Sequence, residues 1–490
     1  MDITGVEEDF KASSDGKCTV ADGGMVATAF PQATQAGVEM LKQGGNAVDA
    51  ACAAAFALGV CEPQASGLGG QTMAILHING QAIFLNGSGR VPSLGHLSQF
   101  KDNDQRTGYR GTTVPSTVAV LGHLNSRFGR LHWSNIIEPA IRIARDGYKI
   151  TKLQHDLLIR ELDNFFQVPS RSGAKYFLKG DKKPYSTGEL FRQPQLADLL
   201  KHLADFGPEA FYTGMVAKKI DEDMRANNGF LRADDLAFIP WPVEQSPLRS
   251  TCGELTLLTS PPPSPGRILI LIIKVLDLLQ PALIGSSSQI TAQFLVEIIK
   301  KALLEHKLNP IRPDLYNPAT DPALNDKSLP KDIADSIINF VDPSFSTIMP
   351  DFQGGETTHL SVMDKDGNAA GLTQSINLVY GSKVAAEGLG FIYNNYLADS
   401  DTADPAHPHF LKPNGIPVSM VCPTIILRNE RPWLVAGSPG SERIVSALAQ
   451  FLFHVIYSGL PISEAMRMPR LHCSTEGKVS LESERFNPDV

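Results

Sequence analysis

The chain has 490 residues, with 44 basic and 52 acidic side chains for a net charge of −8, and 42% of it is hydrophobic. This supplies enough apolar material for a large core, argues against non-specific nucleic-acid binding, and leaves no basic block that would seek a membrane surface. Six scattered cysteines without C-x-x-C spacing read as buried free thiols, and twelve histidines show no paired ligand spacing, so neither a disulfide framework nor a metal site is expected.

Residues 1–17 carry acids and no apolar segment, so they do not read as a secretory signal. A cytoplasmic location is expected, or a periplasmic or secreted one if a leader precedes. Residues 24–30 read as a strand, and Pro31 opens a helix that Gly44-Gly45 ends. Asn46 caps a second helix over 47–59, whose small and apolar residues suit packing on several sides. The cluster Ser66-Gly67-Leu68-Gly69-Gly70 suits close approach of a backbone to a ligand, and it lacks the lysine of a phosphate loop. Residues 72–78 and 81–85 form a hairpin around Asn79-Gly80.

From 116 to about 331 the pattern is mainly helical. Ser134 is expected to cap a helix over 135–146 that Gly147 ends, and 195–206 repeats the pattern. Residues 255–258 form a short strand stopped by Pro261-Pro262-Pro263, and helices follow over 267–279 and 291–306. The apolar run 268–273 is broken by Lys274 and Asp277, which makes it a buried helix and not a membrane span. A Pro- and Asp-rich passage over 310–330 and a polar linker over 344–356 are long enough to require a purpose. Strands over 422–427 and 432–436 surround a turn, and Ser438-Pro439-Gly440-Ser441 leads into a helix over 442–455, leaving free N–H groups at its start.

Between them lies the stretch that carries chemistry. Residues 357–363 alternate at period two, Lys365-Asp366-Gly367 is a three-residue turn with glycine at its left-handed position, and 369–377 returns. That turn sets Thr357 opposite Ser375, His359 opposite Thr373 and Ser361 opposite Gly371. Thr358, Leu360, Val362, Leu372 and Ile376 face the core on the other side. Taken alone, this is also the pattern of an ordinary hairpin with one wet face. A threonine hydroxyl needs an adjacent base, and one solution is the residue's own α-amino group, which here exists only if the Glu356–Thr357 bond is cut. The hydroxyl can make that cut by attacking the Glu356 carbonyl, passing through an ester that water opens.

In this order and over this length the motifs identify a resemblance: Gly44-Gly45-Asn46-Ala47-Val48-Asp49-Ala50, Ser66-Gly67-Leu68-Gly69-Gly70, Gln193-Pro194-Gln195-Leu196-Ala197, Pro261-Pro262-Pro263-Ser264, Thr357-Thr358-His359-Leu360-Ser361-Val362, Asn394-Asn395 and Gly437-Ser438-Pro439-Gly440. The chain resembles the γ-glutamyltransferase, or glutathione hydrolase, family of N-terminal nucleophile hydrolases. The resemblance implies an α+β fold, a four-layer αββα sandwich, and a proenzyme cut before Thr357 into a large subunit, 1–356, and a small one, 357–490. It implies that Thr357 is nucleophile and, through its amine, general base. Ser375 falls where the family has a threonine that supports it, and Gly440 with Ser441 falls on the oxyanion segment. Asn377, Asp399 and Ser419 match positions that hold the substrate, a γ-glutamyl amide such as glutathione, whose acyl group passes to water or an amino acid. No cofactor is implied.

Four positions depart from the family pattern where the substrate binds. Arg90 stands two residues before Pro92, where the family's carboxylate-binding arginine stands four before a proline; Tyr396 replaces a glutamine or glutamate; Met420 replaces a second serine; and Ser441 replaces a second glycine. Methionine cannot donate a serine's hydrogen bond, so an amidohydrolase or acylase acting on another small amide is an alternative. Family members continue past Pro488 with a further helix and strand, so the small subunit is expected to be C-terminally short, and a relative that never matures is the other alternative.

Overall fold

The computed structural model describes residues 18–101, 104–283, 288–338 and 356–482. The linker expected over 344–356 lies outside the described residues, except for Glu356. At the centre two antiparallel sheets are stacked. The first runs Gly24–Ala27, Thr358–Asp364, Ala369–Ser375, Gln71–Ile78, Gln81–Asn86 and Val243–Gln245 in spatial order, and the second runs Arg431–Ala436, Thr424–Arg428, Leu255–Thr259 and Leu248–Cys252.

Period-two alternation makes the layers. Met73, Ile75 and Phe84 of the first sheet meet Leu258, Ile425 and Leu427 of the second in a buried cluster. Their neighbours Ala74, Leu76, Leu360, Val362 and Leu372 face the opposite way, onto helices that include Pro31–Lys42, Ala47–Cys61, Thr117–Phe128 and Trp133–Asp146. On the far side Leu257, Ile426 and Leu434 pack under Gly266–Leu283, Ser288–Leu308, Ser328–Ile338 and Arg443–Ile456. The result is the α+β, four-layer αββα sandwich that the resemblance implies.

Helix Ala47–Cys61 lies directly on the first sheet, and all its residues except Gly59 are buried. Its start is a capping box: Asn46 Oδ1 accepts from the N–H groups of Val48 and Asp49, and Asp49 Oδ2 accepts from the Asn46 N–H at 2.9 Å. It runs two residues beyond the expected end at Gly59. The glycine is there because the 66–70 loop passes close by, and a Cβ would stand 3.2 Å from Gly67 Cα. The helix expected to start after Ser134 begins at Trp133, and its cap is the His132 side chain, which accepts from the Ser134 N–H. Among the described residues all six cysteines are free, and no helix is long and apolar enough to cross a membrane.

The Pro- and Asp-rich passage has a structural task. Its Asp321 is 4% exposed and receives both Nε and Nη2 of Arg267 at 3.1 Å, while Arg267 Nη1 donates to Glu305 at 2.7 Å. Tyr316 and the Ala323 N–H donate to the same carboxylate. Burial alone would raise the Asp321 pKa; the guanidinium outweighs it and holds the carboxyl below its usual range. Removing the Asp321 charge leaves Arg267 with Glu305 alone, which costs part of the roughly 3–5 kcal/mol of stranding a buried charge outright. Asp321→Asn should therefore lower the urea midpoint of unfolding by that part of the free energy at an unchanged slope; a midpoint equal to wild type would show that the triad does not hold the passage in place.

Candidate active site

The hairpin Thr358–Asp364 and Ala369–Ser375 has the register expected from its turn, with His359 paired to Thr373 and Ser361 to Gly371. Gly367 adopts φ +82° in the turn. Asp364 fixes the turn to the helix layer: Oδ2 accepts from the Ala47 N–H, the first of helix Ala47–Cys61, at 2.9 Å, and Oδ1 accepts from the N–H groups of Asp366 and Asn368. Asn368 Oδ1 in turn accepts from the Asn79 N–H, tying this hairpin to its neighbour. Because the strand pair is clamped at its turn, its open end, where Thr357 lies, has a fixed position.

Thr357 sits just before the first strand, 5% exposed, and Ser375 ends the second. Thr357 Oγ1 donates to Ser375 Oγ at 3.1 Å, Ser375 Oγ donates to the Glu356 carbonyl at 3.1 Å, and the Asn377 N–H donates to Ser375 Oγ at 2.9 Å. One hydroxyl thus joins the threonine to the carbonyl immediately before it. Ser375 pairs on its other side with Gln71, so Thr357, Ser375 and Gln71 form a row across three strands. Gln71 Nε2 donates to Ser419 Oγ at 3.0 Å, and its Oε1 accepts from the Gly89 N–H at 2.8 Å.

A small cleft opens over this row, lined by Thr357, Ser375, Asn377, Tyr396, Asp399, Met420, Val421, Ser441 and Ile444. The segment that bears Asn377 and Asp399 is bolted down by Asn394 and Asn395, both fully buried. Asn394 bridges Thr113 and the Gly69 carbonyl, and Asn395 accepts from the Leu378 N–H and donates to the Arg106 carbonyl. These two are structural braces, more than turn residues. The glycine cluster serves the same packing, since a Cβ on Gly70 would lie 2.3 Å from the Ser375 carbonyl and one on Gly69 2.1 Å from that of Ile392. The close approach the sequence suggested is to the chain's own backbone.

Burial raises the Tyr396 phenol well above its ordinary pKa, and its hydroxyl lies among Ser375, Gln71 and Ser419. Asp399 reaches solvent at the cleft mouth, yet the protein around it pushes its carboxyl up to about 6, an upper bound because water at the mouth screens part of the desolvation. Asn377 and the positive charge of Arg106 act against that rise. Ser441 sits at φ +54° just before helix Arg443–Ile456, and Gly440 beside it at φ +122°. Arg90 stands apart. It is exposed, its Nη1 donates only to the Asn414 carbonyl at 3.4 Å, and it is not among the residues lining the cleft. Gln71 beside Ser375 and Ser419, and Val421 and Ile444 among the walls of the cleft, were not anticipated from the sequence.

His359 faces the second sheet. Its ring lies between Thr373 Oγ1 at 2.8 Å and Ser361 Oγ at 3.0 Å, and burial pushes its pKa down to about 3, so it is a neutral packing group. Gly437 makes room for it, since a Cβ there would meet Nδ1 at 2.2 Å.

A family model described as gamma-glutamyltranspeptidase matches residues 33–490. The chain is 32% identical to the glutathione hydrolase proenzyme of Escherichia coli (strain K12), over 96% of this chain and 84% of that one. It is 31% identical to glutathione hydrolase proenzyme 1 of Schizosaccharomyces pombe, over 92% and 74%. Among solved structures it matches a cephalosporin acylase from Bacillus halodurans with a TM-score of 0.81 at 26% identity, over 92% of this chain and 84% of that one. It matches the γ-glutamyltranspeptidase of Helicobacter pylori with a TM-score of 0.61 at 28% identity, over 66% and 95%. With its sandwich fold, its threonine at the open end of a central hairpin and a family match over nearly its whole length, the chain belongs to the gamma-glutamyltranspeptidase family.

Proposed function

We propose that the chain is a proenzyme that cuts itself between Glu356 and Thr357 and then hydrolyses or transfers the γ-glutamyl group of glutathione and related amides. The observation that carries this reading is the hydroxyl chain from Thr357 Oγ1 through Ser375 Oγ to the Glu356 carbonyl. Thr357 Oγ1 attacks the Glu356 carbonyl carbon while the Ser375 hydroxyl polarises its oxygen; the C–N bond breaks to leave an ester on Thr357 Oγ1 and a free Thr357 amine. Water then opens the ester, releasing the Glu356 carboxylate. Residues 1–356 and 357–490 become the large and small subunits.

In turnover Thr357 Oγ1 is the nucleophile, its α-amine takes the proton, and the substrate acyl group occupies the cleft. Asp399 holds the ammonium of the γ-glutamyl group, with Asn377 and Ser419 as its polar neighbours, and the N–H groups of Gly440 and Ser441 receive the oxyanion. Water or an amino acid releases the product. The net charge of −8 supports small molecules as partners, with neither nucleic acid nor a membrane surface among them.

One observation favours a second reading, an acylase acting on another small amide. Met420 and Tyr396 line the cleft where the family pattern has more polar groups, Val421 adds an apolar wall, and Arg90 is turned away from it. A glutaryl amide, which lacks the ammonium, discriminates between the two: turnover of glutathione above that of the glutaryl amide supports the γ-glutamyl reading, and the reverse order overturns it in favour of the acylase.

Three outcomes test the proposal itself. The small fragment should begin Thr-Thr-His-Leu-Ser, and Thr357→Ala should abolish both cleavage and glutamate release; a variant that matures normally would move the cut elsewhere. Ser375→Ala removes the donor to the Glu356 carbonyl, so its cleavage, followed by denaturing electrophoresis, should slow on the order of 10²-fold, the usual loss for one such donor. Because the Asp399 pKa is raised, its carboxylate is present above about pH 6 and lost below. Hence kcat/KM for glutathione, which already declines as the Thr357 amine protonates, should fall more steeply below about pH 6, while Asp399→Asn should be poor at every pH and lack that second, steeper limb.

A further inference from the structure

One buried acid near the cut is used by none of these steps. Glu62 follows the last turn of helix Ala47–Cys61, is 7% exposed, and its Oε2 has no hydrogen-bond partner. A hydroxyl beside it is that of Thr358, the residue after the nucleophile. It lies close enough to act on the carboxyl but out of hydrogen-bond geometry, and Thr358 Oγ1 is itself buried without a partner. Two buried polar atoms without partners, Glu62 Oε2 and Thr358 Oγ1, therefore belong to side chains that act on each other one residue from the bond that is cut.

The charges around Glu62 show what is missing there. Burial, and then the negative charge of Glu356, push its carboxyl up to about 8, and the Thr358 hydroxyl acts the other way. Among the described residues no lysine or arginine contributes to that shift. The other titratable groups that feel Glu62 are Cys61 of its own helix and Tyr148, both driven well above their ordinary values by burial and hence neutral. Arg160 and Arg443 act on Glu356, not on Glu62. A buried carboxyl without a cation stays protonated. Cleavage makes one new cation at this place, the α-ammonium of Thr357.

We infer that Glu62 is a positioning residue that accepts a hydrogen bond from the Thr357 α-amino group once cleavage has freed it, and that its carboxylate stabilises the ammonium formed there during acylation. The inference rests on the self-cleaving reading above. In the step concerned, the Thr357 Oγ1–H bond breaks and the Oγ1–carbon bond to the substrate carbonyl forms. The proton moves to the α-amino nitrogen and later leaves on the departing amine. Glu62 is ionised when the α-amino group is protonated and takes no proton from the substrate itself, as an orienting carboxylate does beside a catalytic base. In the uncut chain it carries no charge, so cleavage itself creates the pair.

The test is Glu62→Gln, which keeps the shape and removes the charge. The small fragment should still begin Thr-Thr-His-Leu-Ser, since the first cut needs no amine. In the cleaved variant the plateau of kcat at saturating substrate should fall about tenfold. Its acid limb should move down by about one pH unit, because an amine without a neighbouring carboxylate binds its proton less tightly. A lower plateau with the limb unmoved would mean a merely structural role and would overturn the inference. If the variant fails to mature, the wild-type mature enzyme decides. Labelling of the Thr357 amine by acetic anhydride across pH should give a pKa above the roughly 7.7–8.0 of a free α-amine, and a value at or below that range overturns the pairing. A wild-type chain that never cleaves would instead sink the self-cleaving reading, which separates the two failures.

Discussion

The pairing register of one hairpin governs the rest of this structure. Side chains alternate faces along a strand, so a slip of one residue between Thr358–Asp364 and Ala369–Ser375 would turn Leu360, Val362 and Leu372 from the helix layer into the space between the sheets. It would also part Thr357 from Ser375. The fold and the site therefore share a single determinant, and Asp364 secures it at the turn by accepting from the first N–H of the helix beneath.

Much of this was legible in the sequence, for local reasons. A three-residue turn with glycine at its left-handed position and an Asn46-to-Asp49 box before an apolar run each act within a few residues, and the register and the capping box follow from them. What stayed hidden depends on partners distant in sequence. The strands Val243–Gln245 and Leu248–Cys252 are short edges; the first is mostly exposed, and the second, although its burial alternates, places the polar Ser250 at a buried position, so neither shows an apolar alternation to read. The Pro- and Asp-rich passage gave no hint that Asp321 would meet Arg267 from 54 positions away. The glycines at 69 and 70 were visible as a need for close approach, but what approaches them is the backbone of Ser375 and Ile392. At the site, the sequence flagged Tyr396, Met420 and Ser441, all of which line the cleft, and Arg90, which does not. Glu62 looked like an unremarked helix end, because its burial beside Thr358 is a tertiary fact.

The side chains packed around the Thr357 hydroxyl are polar and mostly neutral, while the charges of Arg160 and Arg443 act on Glu356 beside it. His359 is neutral between two hydroxyls, the Tyr396 phenol is held protonated, and Asp399 keeps its carboxyl at the solvent side of the cleft. The proposed bond breaking at Glu356 would thus take place among hydrogen-bond donors in a low-dielectric setting, where each donor is worth more than it would be in water.

The strand order of the first sheet carries a consequence for the mature protein. The strand that follows Thr357 lies between Gly24–Ala27, from before the cut, and Ala369–Ser375, from after it; Ala369–Ser375 in turn pairs with Gln71–Ile78. The proposed cut after Glu356 would alter the chain's connectivity and leave the weave intact, so the two pieces would be held as threads of one cloth. The change is irreversible in a second sense. Before the cut, refolding is a search by one chain; after it, the halves of a single sheet must find each other in solution. Once denatured, the mature enzyme becomes a dilute mixture whose recovery depends on concentration, and its lifetime is set by how seldom the sheet opens.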